Sequence, residues 1–465
     1  MLVMKFGGTS VGSAAAIAQT VDILATYSRQ EQVVGIVSAM SGVTNALLAK
    51  AEAAAAGDSE GVDAARATLL APHRTAAVEL LPNGDRRRET EATLGALADD
   101  VARMLYSVYV LRELSPRARD RIVSFGERMS SVLVAAVLNE RGTPAQAVPA
   151  DRLIVTDSVF DGASPLLEQT RARTNATLEP IFAAGLLPVV TGFFGADERG
   201  ITTTLGRGGS DYSASILGNA LDAREIWIWT DVDGVMTADP RIVPEAYTLP
   251  AVSYAEATEM AYFGAKVIHP KTMHPAMERN IPIWIKNTFN PTAPGTCIST
   301  ETSNGRVAKA IASISGLAAI TVEGRGQLGV SDVTARIFSA IGRSGVNVFM
   351  ISQASSQHSV TFVVQDSQAE LAAAALRAEF ATDLARELVL SIETNRDLAI
   401  IAVVGEGMRG TPGVAGQVFG TMGNEGINII AIAQGSSELN ISFVISGADV
   451  RRAVAALHRG FALAR

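Results

Sequence analysis

The last third of the chain contains an internal duplication, which constrains the fold more than any other feature of the sequence. Residues 324–356 align without gaps onto residues 405–437, an offset of 81 residues that also matches Phe362 with Phe443. Each copy reads as strand, Gly-rich turn, helix, strand, strand, helix, which is most of a small βαββαβ sandwich. The sequence therefore predicts two related small modules.

The second copy ends at Arg465, directly after its last helix, and so lacks a closing strand. The strand-like run 307–314, just before the first copy, can supply that strand. We therefore expect one module at 316–395, inserted into a discontinuous second module made of 306–315 plus 396–465.

The region before the repeat, 1–295, is expected to form one α/β domain. It alternates short β-branched runs with helical segments, the pattern of a parallel sheet covered by helices. Residues 45–115 are Ala-rich with charges at helical spacing and predict a helical cover. Residues 287–305 concentrate Pro, Gly, Asn, Ser and Thr and predict a domain boundary. The predicted strands are 2–6, 33–38, 187–192, 226–230 and 283–286.

Composition excludes several classes of protein. A chain of 465 residues needs two or three domains. A net charge of -8 and a pI near 5.3 argue against binding to nucleic acid or to an anionic membrane. The apolar run at the N-terminus is too short for a signal peptide, and the sequence contains no stretch of about 18 apolar residues. The single cysteine, Cys297, fits a reducing compartment. We therefore expect a cytoplasmic protein.

The sequence lacks the P-loop pattern G-x-x-x-x-G-K-[ST] and the protein-kinase motifs, so any bound nucleotide needs a different phosphate cradle. Three Gly-rich turns lie where strands should end, at 5–10, 38–45 and 204–214. Glycines let backbone amides approach phosphate, and the helices behind them direct their positive ends to the same point. Lys5 ends an apolar strand, where an ammonium without an anionic partner is costly.

The motifs KFGGTSV, SFGERMS, TLGRGGSDYSA, TDVDGVMTADPR and YFGAKVIHP occur in this order. Together they resemble the aspartate kinases of the amino-acid-kinase family over nearly the whole chain. The two repeats are similar to the ACT regulatory modules of those enzymes. The segments ISQASS and IAQGSS most resemble the threonine-sensitive aspartate kinase portion of enzymes fused to homoserine dehydrogenase.

This resemblance implies a fold and a reaction. The fold is a three-layer αβα sandwich with a mainly parallel central sheet, followed by two ACT-like βαββαβ modules. The reaction transfers the γ-phosphoryl group of ATP to the β-carboxylate of L-aspartate. It gives 4-phospho-L-aspartate, on the way to lysine, threonine and methionine.

The resemblance also implies roles for residues at matching positions. Lys5 contacts the transferring phosphoryl group, and Asp211 organises the catalytic lysines and the metal-bound phosphates. Arg207 pairs with the α-carboxylate of aspartate, and Glu127 receives its ammonium. The other aspartate-side residues are Ser38, Thr44 and Ser210, and the nucleotide-side residues are Gly7, Gly8, Thr9, Thr230, Asp231, Met236, Arg241 and Lys266.

The chemistry agrees with these roles. A side-chain carboxylate with a pKa of about 3.9 is already ionised at neutral pH, so it needs no general base. The enzyme must bring two anions together and screen their repulsion with Mg²⁺, lysines and helix amides. We expect Mg²⁺ to arrive with ATP, held mainly by phosphates and water, and no protein metal site. Met236 departs from the family, which usually has Tyr there. If residue 236 packs near adenine, Met can fill the space but ring stacking is lost.

The duplicated modules are expected to sense an amino acid at their interface. By resemblance, the effector-contacting residues are Asn347 and Gln353 in the first copy and Asn428 and Gln434 in the second. The resemblance favours threonine as the feedback amino acid, with lysine next. The alternative is that these polar residues merely end a strand. Because ACT pairs often join subunits, we expect a homo-oligomer that is at least a dimer.

Three other functions stay open at this point. A kinase of the same fold could act on glutamate, acetylglutamate, carbamate or a nucleotide, although Glu127 and the doubled module disfavour it. A catalytically silent amino-acid sensor is disfavoured by the intact Lys5, Arg207 and Asp211. The third is a fusion with homoserine dehydrogenase, but the chain ends before such a domain, so we expect no dehydrogenase activity from these residues.

Overall fold

A computed structural model describes residues 1–264, 268–300, 305–324, 330–353 and 359–464. The chain divides into two compact units. Unit 1 contains Met1–Val235, Pro250–Tyr254 and Val267–Thr302, and unit 2 contains Met236–Leu249, Ala255–Lys266 and Ser303–Arg465.

Unit 1 alternates strands and helices. Its strands are β1 (Leu2–Phe6), β2 (Val33–Val37), β3 (Ala145–Val148), β4 (Val155–Thr156), β5 (Leu187–Thr191), β6 (Phe194–Asp197), β7 (Thr202–Thr204), β8 (Glu225–Thr230), β9 (Ala251–Ser253), β10 (Ile283–Asn287) and β11 (Thr296–Ser299). The helices in the same part of the chain are α1 (Ala14–Ser28), α2 (Val43–Ala56), α3 (Ser59–Leu80), α4 (Asp85–Leu111), α5 (Pro116–Val123), α6 (Phe125–Glu140), α7 (Leu167–Ala183), α8 (Gly209–Ala220), α9 (Tyr254–Tyr262) and α10 (Pro270–Glu278). Helix α9 begins at the last residue of a unit 1 segment and continues into unit 2.

The main sheet of unit 1 has eight strands in the order β3-β5-β2-β1-β8-β10-β11-β9. All neighbours are parallel except β10 and β11. The five predicted strands are confirmed as β1, β2, β5, β8 and β10, each end within one residue, and α2 to α4 confirm the helical cover. Strand β11 lies inside the segment 287–305, which we expected to be a domain boundary. A second sheet has the order β4-β6-β7.

Strand β1 is buried along its whole length, and its two faces have different surroundings. Leu2, Met4 and Phe6 belong to a core cluster with apolar residues of α1 and α6. Because side chains alternate along a strand, Lys5 points to the opposite face. An apolar strand thus brings one ammonium to the end of the sheet.

One run is apolar enough to cross a membrane by length and composition, namely Pro116–Glu140, which covers α5 and α6. Its mean hydropathy over the test window is 1.3, and 78% of that window is buried inside the protein. The core helix of a globular protein has these same properties, so this run is weak evidence for a membrane span.

Unit 2 contains a single antiparallel sheet in the order β13-β14-β12-β15-β17-β16. Its strands are β12 (Ala310–Gly324), β13 (Val348–Gln353), β14 (Ser359–Gln365), β15 (Val389–Val404), β16 (Ala431–Ala433) and β17 (Asn440–Ser446). Its helices, besides most of α9, are α11 (Val330–Arg343), α12 (Ala369–Glu379), α13 (Ala381–Ala385), α14 (Val414–Asn424) and α15 (Val450–Gly460).

The duplication is visible in the strand register. Ile351 lies opposite Phe362 in the first copy, and Ile432 lies opposite Phe443 in the second, at an offset of 81 residues. The two hydrophobic cores repeat with the same offset. The corresponding core residues are Ile320 and Ile401, Ile337 and Val418, Phe362 and Phe443, and Leu376 and Leu457.

The two long strands, β12 and β15, run through both copies. The first part of β12, 310–315, pairs with 399–404 of β15, which in turn pairs with β17 of the second copy. The second part, 317–323, pairs with β14 of the first copy. The register of the β12–β15 pair shifts between Ser315 and Leu317, where the first part of β12 ends and the second part begins.

Candidate active site

A cavity of about 380 Å³ lies at the carboxyl ends of β1 and β2. All three Gly-rich turns found in the sequence contribute to it, together with the first turn of α6 and one residue after β5. The lining residues are Lys5, Gly8, Ser38, Ala39, Met40, Ser41, Gly42, Thr44, Asn45, Glu127, Phe193, Gly206, Arg207, Gly208, Gly209, Ser210 and Asp211. The structure thus brings together every residue predicted to be catalytic or to bind aspartate.

The turn after β1 needs glycine because other chain segments approach it closely. A Cβ atom on Gly8 would lie 3.1 Å from the carbonyl oxygen of Ala39. At the opposite wall, a Cβ atom on Gly209 would lie 2.7 Å from the ring of Phe193. A side chain at Gly209 would force the ring of Phe193 to move, and one at Gly8 would push on the backbone of Ala39. Without side chains, both glycines let backbone amides line the cavity.

Lys5 and Asp211 form an ion pair in the cavity wall. The Lys5 Nζ atom lies 2.5 Å from Asp211 Oδ1, and the two side chains are 9% and 16% exposed. Asp211 belongs to the first turn of α8, where the positive end of the helix dipole stabilises a carboxylate. The pair holds one ammonium at the mouth of the KFGGTS turn, where an incoming anion can share it.

Glu127 is a buried carboxyl group with one unused oxygen. Its Oε1 atom accepts a hydrogen bond from the backbone N–H of Ala39 at 3.1 Å. Its Oε2 atom is buried and has no hydrogen-bond partner among the described residues. Burial raises the pKa of Glu127 from 4.5 to about 8. A buried acceptor without a partner is costly, so this side chain is suited to a cationic ligand group.

Arg207 supplies a second cation on an exposed turn. Its guanidinium makes no ion pair or hydrogen bond with the part of the chain that the structure describes. Together with burial, its charge lowers the pKa of His269, which caps α10 by accepting from the N–H of Lys271. Three helices, α2, α6 and α8, also begin at this cavity, so their positive ends favour anionic ligands there.

The sequence did not single out Phe193, which lines the cavity, or Asp120, which supports one of its turns. Phe193 lines the cavity with a left-handed backbone, φ 75°, which the sequence GFF does not reveal. Asp120 is 1% exposed and accepts hydrogen bonds from the N–H of Thr204 at 2.7 Å and from its hydroxyl at 2.9 Å. It also accepts from the N–H of Asp161 at 3.1 Å, so it fixes the start of the Arg207 turn.

The predicted nucleotide-side residues fall in two groups. In unit 1, Gly7 donates its N–H to the carbonyl of Trp229 at 3.1 Å, which joins the ends of β1 and β8. Thr230 donates to Asp231 Oδ1 at 3.2 Å, and Thr9 is exposed.

The second group belongs to unit 2. The Arg241 side chain is 86% exposed and pairs with Asp239 at 2.6 Å. Met236 forms a β-bridge with Thr248. Lys266 lies outside the described residues.

The four predicted effector residues are all exposed. Gln353 ends β13 and Gln434 directly follows β16, and these are the two edge strands of the unit 2 sheet. Asn347 directly precedes β13, and Asn428 lies shortly before β16. The two copies therefore offer equivalent polar groups at equivalent edges.

No group of three or more His, Cys, Asp or Glu residues is arranged to hold a metal ion in the described ranges. Mg²⁺ usually keeps several waters and binds one or two carboxylates together with substrate phosphates. Asp211, beside Lys5 in the cavity wall, would be the residue to hold such a metal if it arrives with a nucleotide.

Comparison with known proteins identifies the family. The profile of the amino acid kinase family matches residues 1–287, and that of the ACT domain matches 320–380 and 401–461. The chain belongs to the amino acid kinase family. The α/β class and the two ACT-like modules expected from the sequence are thereby confirmed, as is the resemblance to the aspartate kinases.

Similar members of the amino acid kinase family include bifunctional and monofunctional proteins. The bifunctional aspartokinase/homoserine dehydrogenase 1 of Zea mays is 38% identical over 100% of this chain and 50% of its own length. The corresponding protein of Haemophilus influenzae is 36% identical over 99% and 56%. Aspartokinase 3 of Arabidopsis thaliana is 35% identical over 99% and 81%. The chain therefore spans about half the length of the bifunctional relatives.

Two solved structures of E. coli aspartokinase III are similar over 99% of both chains. The R-state complex with aspartate and ADP has a TM-score of 0.79 at 32% identity. The T-state complex with lysine and aspartate has a TM-score of 0.82 at 31% identity.

Proposed function

We propose that this chain is an aspartate kinase, which transfers the γ-phosphoryl group of ATP to the β-carboxylate of L-aspartate. The observation that carries the proposal is the unpartnered Oε2 atom of buried Glu127, in the same cavity as Arg207 and Lys5. An amino acid with a second carboxylate offers a partner to each of these three groups. The aspartokinases among its relatives and the aspartate-bound E. coli structures support the same substrate.

The proposed binding mode assigns one group of aspartate to each side chain. Arg207 binds the α-carboxylate as a bidentate pair, and Glu127 accepts the ammonium. The β-carboxylate then lies toward Lys5, with hydroxyl groups of Ser38, Thr44 and Ser210 at the cavity wall. A substrate without the ammonium would leave Glu127 unpaired, and this gives selectivity for an amino acid.

The chemistry requires positioning and charge neutralisation. The ionised β-carboxylate attacks the γ-phosphorus, the bond to the β–γ bridging oxygen breaks, and ADP leaves. Lys5 stabilises the charge on the transferring group, while Asp211 holds the Lys5 ammonium in place. Mg²⁺ that arrives with the nucleotide would supply further charge neutralisation, and Asp211 would be the cavity carboxylate to hold it.

The C-terminal unit is proposed to be regulatory. We assign 316–395 to an inserted ACT module and 306–315 plus 396–465 to a discontinuous one, as the strand pairs of β12 support. A feedback amino acid, threonine before lysine, binds near Asn347, Gln353, Asn428 and Gln434. The edge strands β13 and β16 carry the exposed Ile351 and Ile432, and exposed Ile430 directly precedes β16, which suits assembly into a cytoplasmic homo-oligomer.

Contacts inside unit 2 suggest how the effector signal travels. Glu256 of α9 pairs with Lys309 at 2.7 Å and accepts from the N–H of Glu406 at 2.8 Å. Further along α9, the hydroxyl of Tyr262 donates to the carbonyl of Phe349 in β13 at 3.1 Å. Because α9 lies just before the predicted nucleotide-side residue Lys266, a change in the ACT strands can alter nucleotide binding.

Acyl-phosphate formation tests the proposal. Purified protein is incubated with Mg²⁺ATP, hydroxylamine and one of aspartate, glutamate or N-acetylglutamate, and the hydroxamate is measured with and without threonine or lysine. Of the three acceptors, we expect only aspartate to give hydroxamate. We expect less hydroxamate when the effector amino acid is present. Hydroxamate with another acceptor would indicate a different kinase of this fold, and none with a folded protein would support the silent sensor.

A further inference from the structure

The loop that follows β10 is braced on both sides. Asn287 Oδ1 accepts the N–H of Phe289 at 2.9 Å, and the N–H of Thr288 donates to the carbonyl of Thr230 at 2.8 Å. The Thr288 hydroxyl also bonds that of Ser10 at 2.7 Å. The loop is therefore attached to the ends of both β1 and β8.

A second brace joins this loop to the one after β8. The side-chain amides of Asn287 and Asn290 both donate to Asp233 Oδ1, at 2.8 and 3.1 Å. One carboxylate oxygen thus holds two loops that follow neighbouring strands. Their relative position is fixed by charge-assisted hydrogen bonds, which are stronger than neutral ones.

The base of the loop is closed by Lys286. Its Nζ atom donates to the carbonyl of Pro294 at 3.0 Å, and the side chain is 9% exposed. The three tryptophans of the chain surround this ammonium, with ring centroids 4.9 Å (Trp227), 5.5 Å (Trp284) and 5.7 Å (Trp229) away. Cation–π attraction in a desolvated site makes this a rigid support.

These rigid loops nevertheless present apolar side chains to solvent. Phe289 is 55% exposed at the tip of one loop, and Val232 is 39% exposed on the other. An aromatic ring that stays in contact with water contributes little burial energy to the folded monomer. An aromatic ring on a rigid support is instead suited to stacking on a planar ligand.

The position of the acceptor cavity fixes the side on which the donor lies. The cavity is lined by turns after β1 and β2, whereas β8 adjoins β1 on its other side, with β10 beyond β8. In-line transfer places donor and acceptor on opposite sides of the phosphorus. The donor therefore extends from Lys5 across the ends of β8 and β10. This distance is about 10 Å at the usual strand spacing.

We propose that Phe289, together with Val232 on the neighbouring loop, forms the surface on which the purine base of the donor nucleotide stacks. The proposal rests on the proposed kinase function for the direction of the donor. It gives the chain an aromatic contact for the base although position 236 carries Met instead of a ring. The braces at Asp233 and Lys286 hold that surface in place before the nucleotide binds.

The test compares Phe289→Ala and Phe289→Trp with wild type, and uses Tyr106→Ala as a control. Tyr106 is a 60% exposed aromatic residue on α4 and does not line the acceptor cavity. Affinities for MgATP and for magnesium tripolyphosphate, which has no base, are measured by titration calorimetry, together with kcat and KM. Circular dichroism confirms that each variant is folded.

We expect Phe289→Ala to weaken ATP binding about fivefold to 150-fold, the range found for base–aromatic stacking, with kcat within about twofold. The affinity of Phe289→Ala for tripolyphosphate should equal that of wild type. Phe289→Trp should bind ATP about as tightly as wild type. Equal ATP affinity in Phe289→Ala and wild type would overturn the proposal. An equal loss of ATP and tripolyphosphate affinity would also overturn it, because the loop would then act on the phosphates.

This design separates the inference from the proposed function. Turnover by wild type with an unchanged ATP affinity in Phe289→Ala leaves the kinase and removes the stacking surface. If wild type lacks aspartate-dependent turnover, the calorimetric comparison of ATP with tripolyphosphate still decides the role of Phe289.

Discussion

Aspartate binding should release a proton, because the ammonium of aspartate needs Glu127 in its ionised form. Burial raises the pKa of Glu127 to about 8 in the free enzyme. At pH 7 about nine in ten molecules therefore carry a neutral Glu127. Each binding event must ionise that carboxyl group before the ion pair can form.

The size of the effect follows from this linkage. With a free-enzyme pKa of about 8 and a much lower value in the complex, the apparent dissociation constant scales as one plus ten to the power of 8 minus pH. The affinity for aspartate should rise about 50-fold between pH 6 and pH 8 and level off above pH 8. At pH 7 nearly one proton should be released for each aspartate bound.

Titration calorimetry in two buffers of different ionisation enthalpy counts these protons directly. Glu127→Gln removes the titrating group, so its affinity should be weaker and almost independent of pH. A wild-type affinity that stays flat from pH 6 to pH 8, without proton release, would refute the role of Glu127 as the ammonium acceptor.

Three further predictions concern stability and coupling. Asp120→Asn should lower the free energy of unfolding by about 1–3 kcal/mol, because it weakens the bonds to Thr204; it should also raise the KM for aspartate. Urea unfolding and kinetics check both, and an unchanged stability would contradict the assigned hydrogen bonds. Lys309→Met leaves the buried carboxylate of Glu256 without its ammonium and should lower the free energy of unfolding by about 3–5 kcal/mol. Adding Glu256→Gln should recover part of this loss of stability. Purely additive effects of the two mutations would exclude a coupling between the two side chains. Burial lowers the pKa of His73 from 6.5 to about 4, so the unfolded state binds the extra proton and stability falls as pH drops from 6.5 to 4. His73→Leu should flatten that loss, and urea midpoints at pH 7 and pH 5 that fall equally in both proteins would contradict it.

Much of the fold could be predicted from the sequence, because the strongest signals are local. Strands such as β1 and β8 are short β-branched or aromatic runs bounded by turn residues. The gapless repeat likewise predicted two modules with the same register, as Phe362 and Phe443 demonstrate. Strand β11 was missed because its residues, TCIS, lie among turn formers and gain their stability from pairing with β10.

The site could be predicted only where motif residues carry the chemistry themselves. Lys5, Glu127 and Asp211 were all singled out, and all line one cavity. Asp120 acts through hydrogen bonds to segments 41 and 84 residues away, which no local pattern encodes. The exposure of Phe289 is equally invisible in the sequence, because it depends on how the loops after β8 and β10 pack.

The destination of the phosphoryl group tests the central claim most directly. Aspartate labelled with ¹⁸O in its β-carboxylate is incubated with the protein, Mg²⁺ATP and hydroxylamine, and the released phosphate is analysed by mass spectrometry. Hydroxylamine attacks the acyl carbon, so phosphate departs with the bridging oxygen of the carboxylate. The proposed reaction predicts one ¹⁸O atom in each phosphate, formed by wild type and lost with Lys5→Ala. Phosphate without ¹⁸O would mean that ATP is hydrolysed without phosphorylating aspartate, which contradicts the proposed reaction.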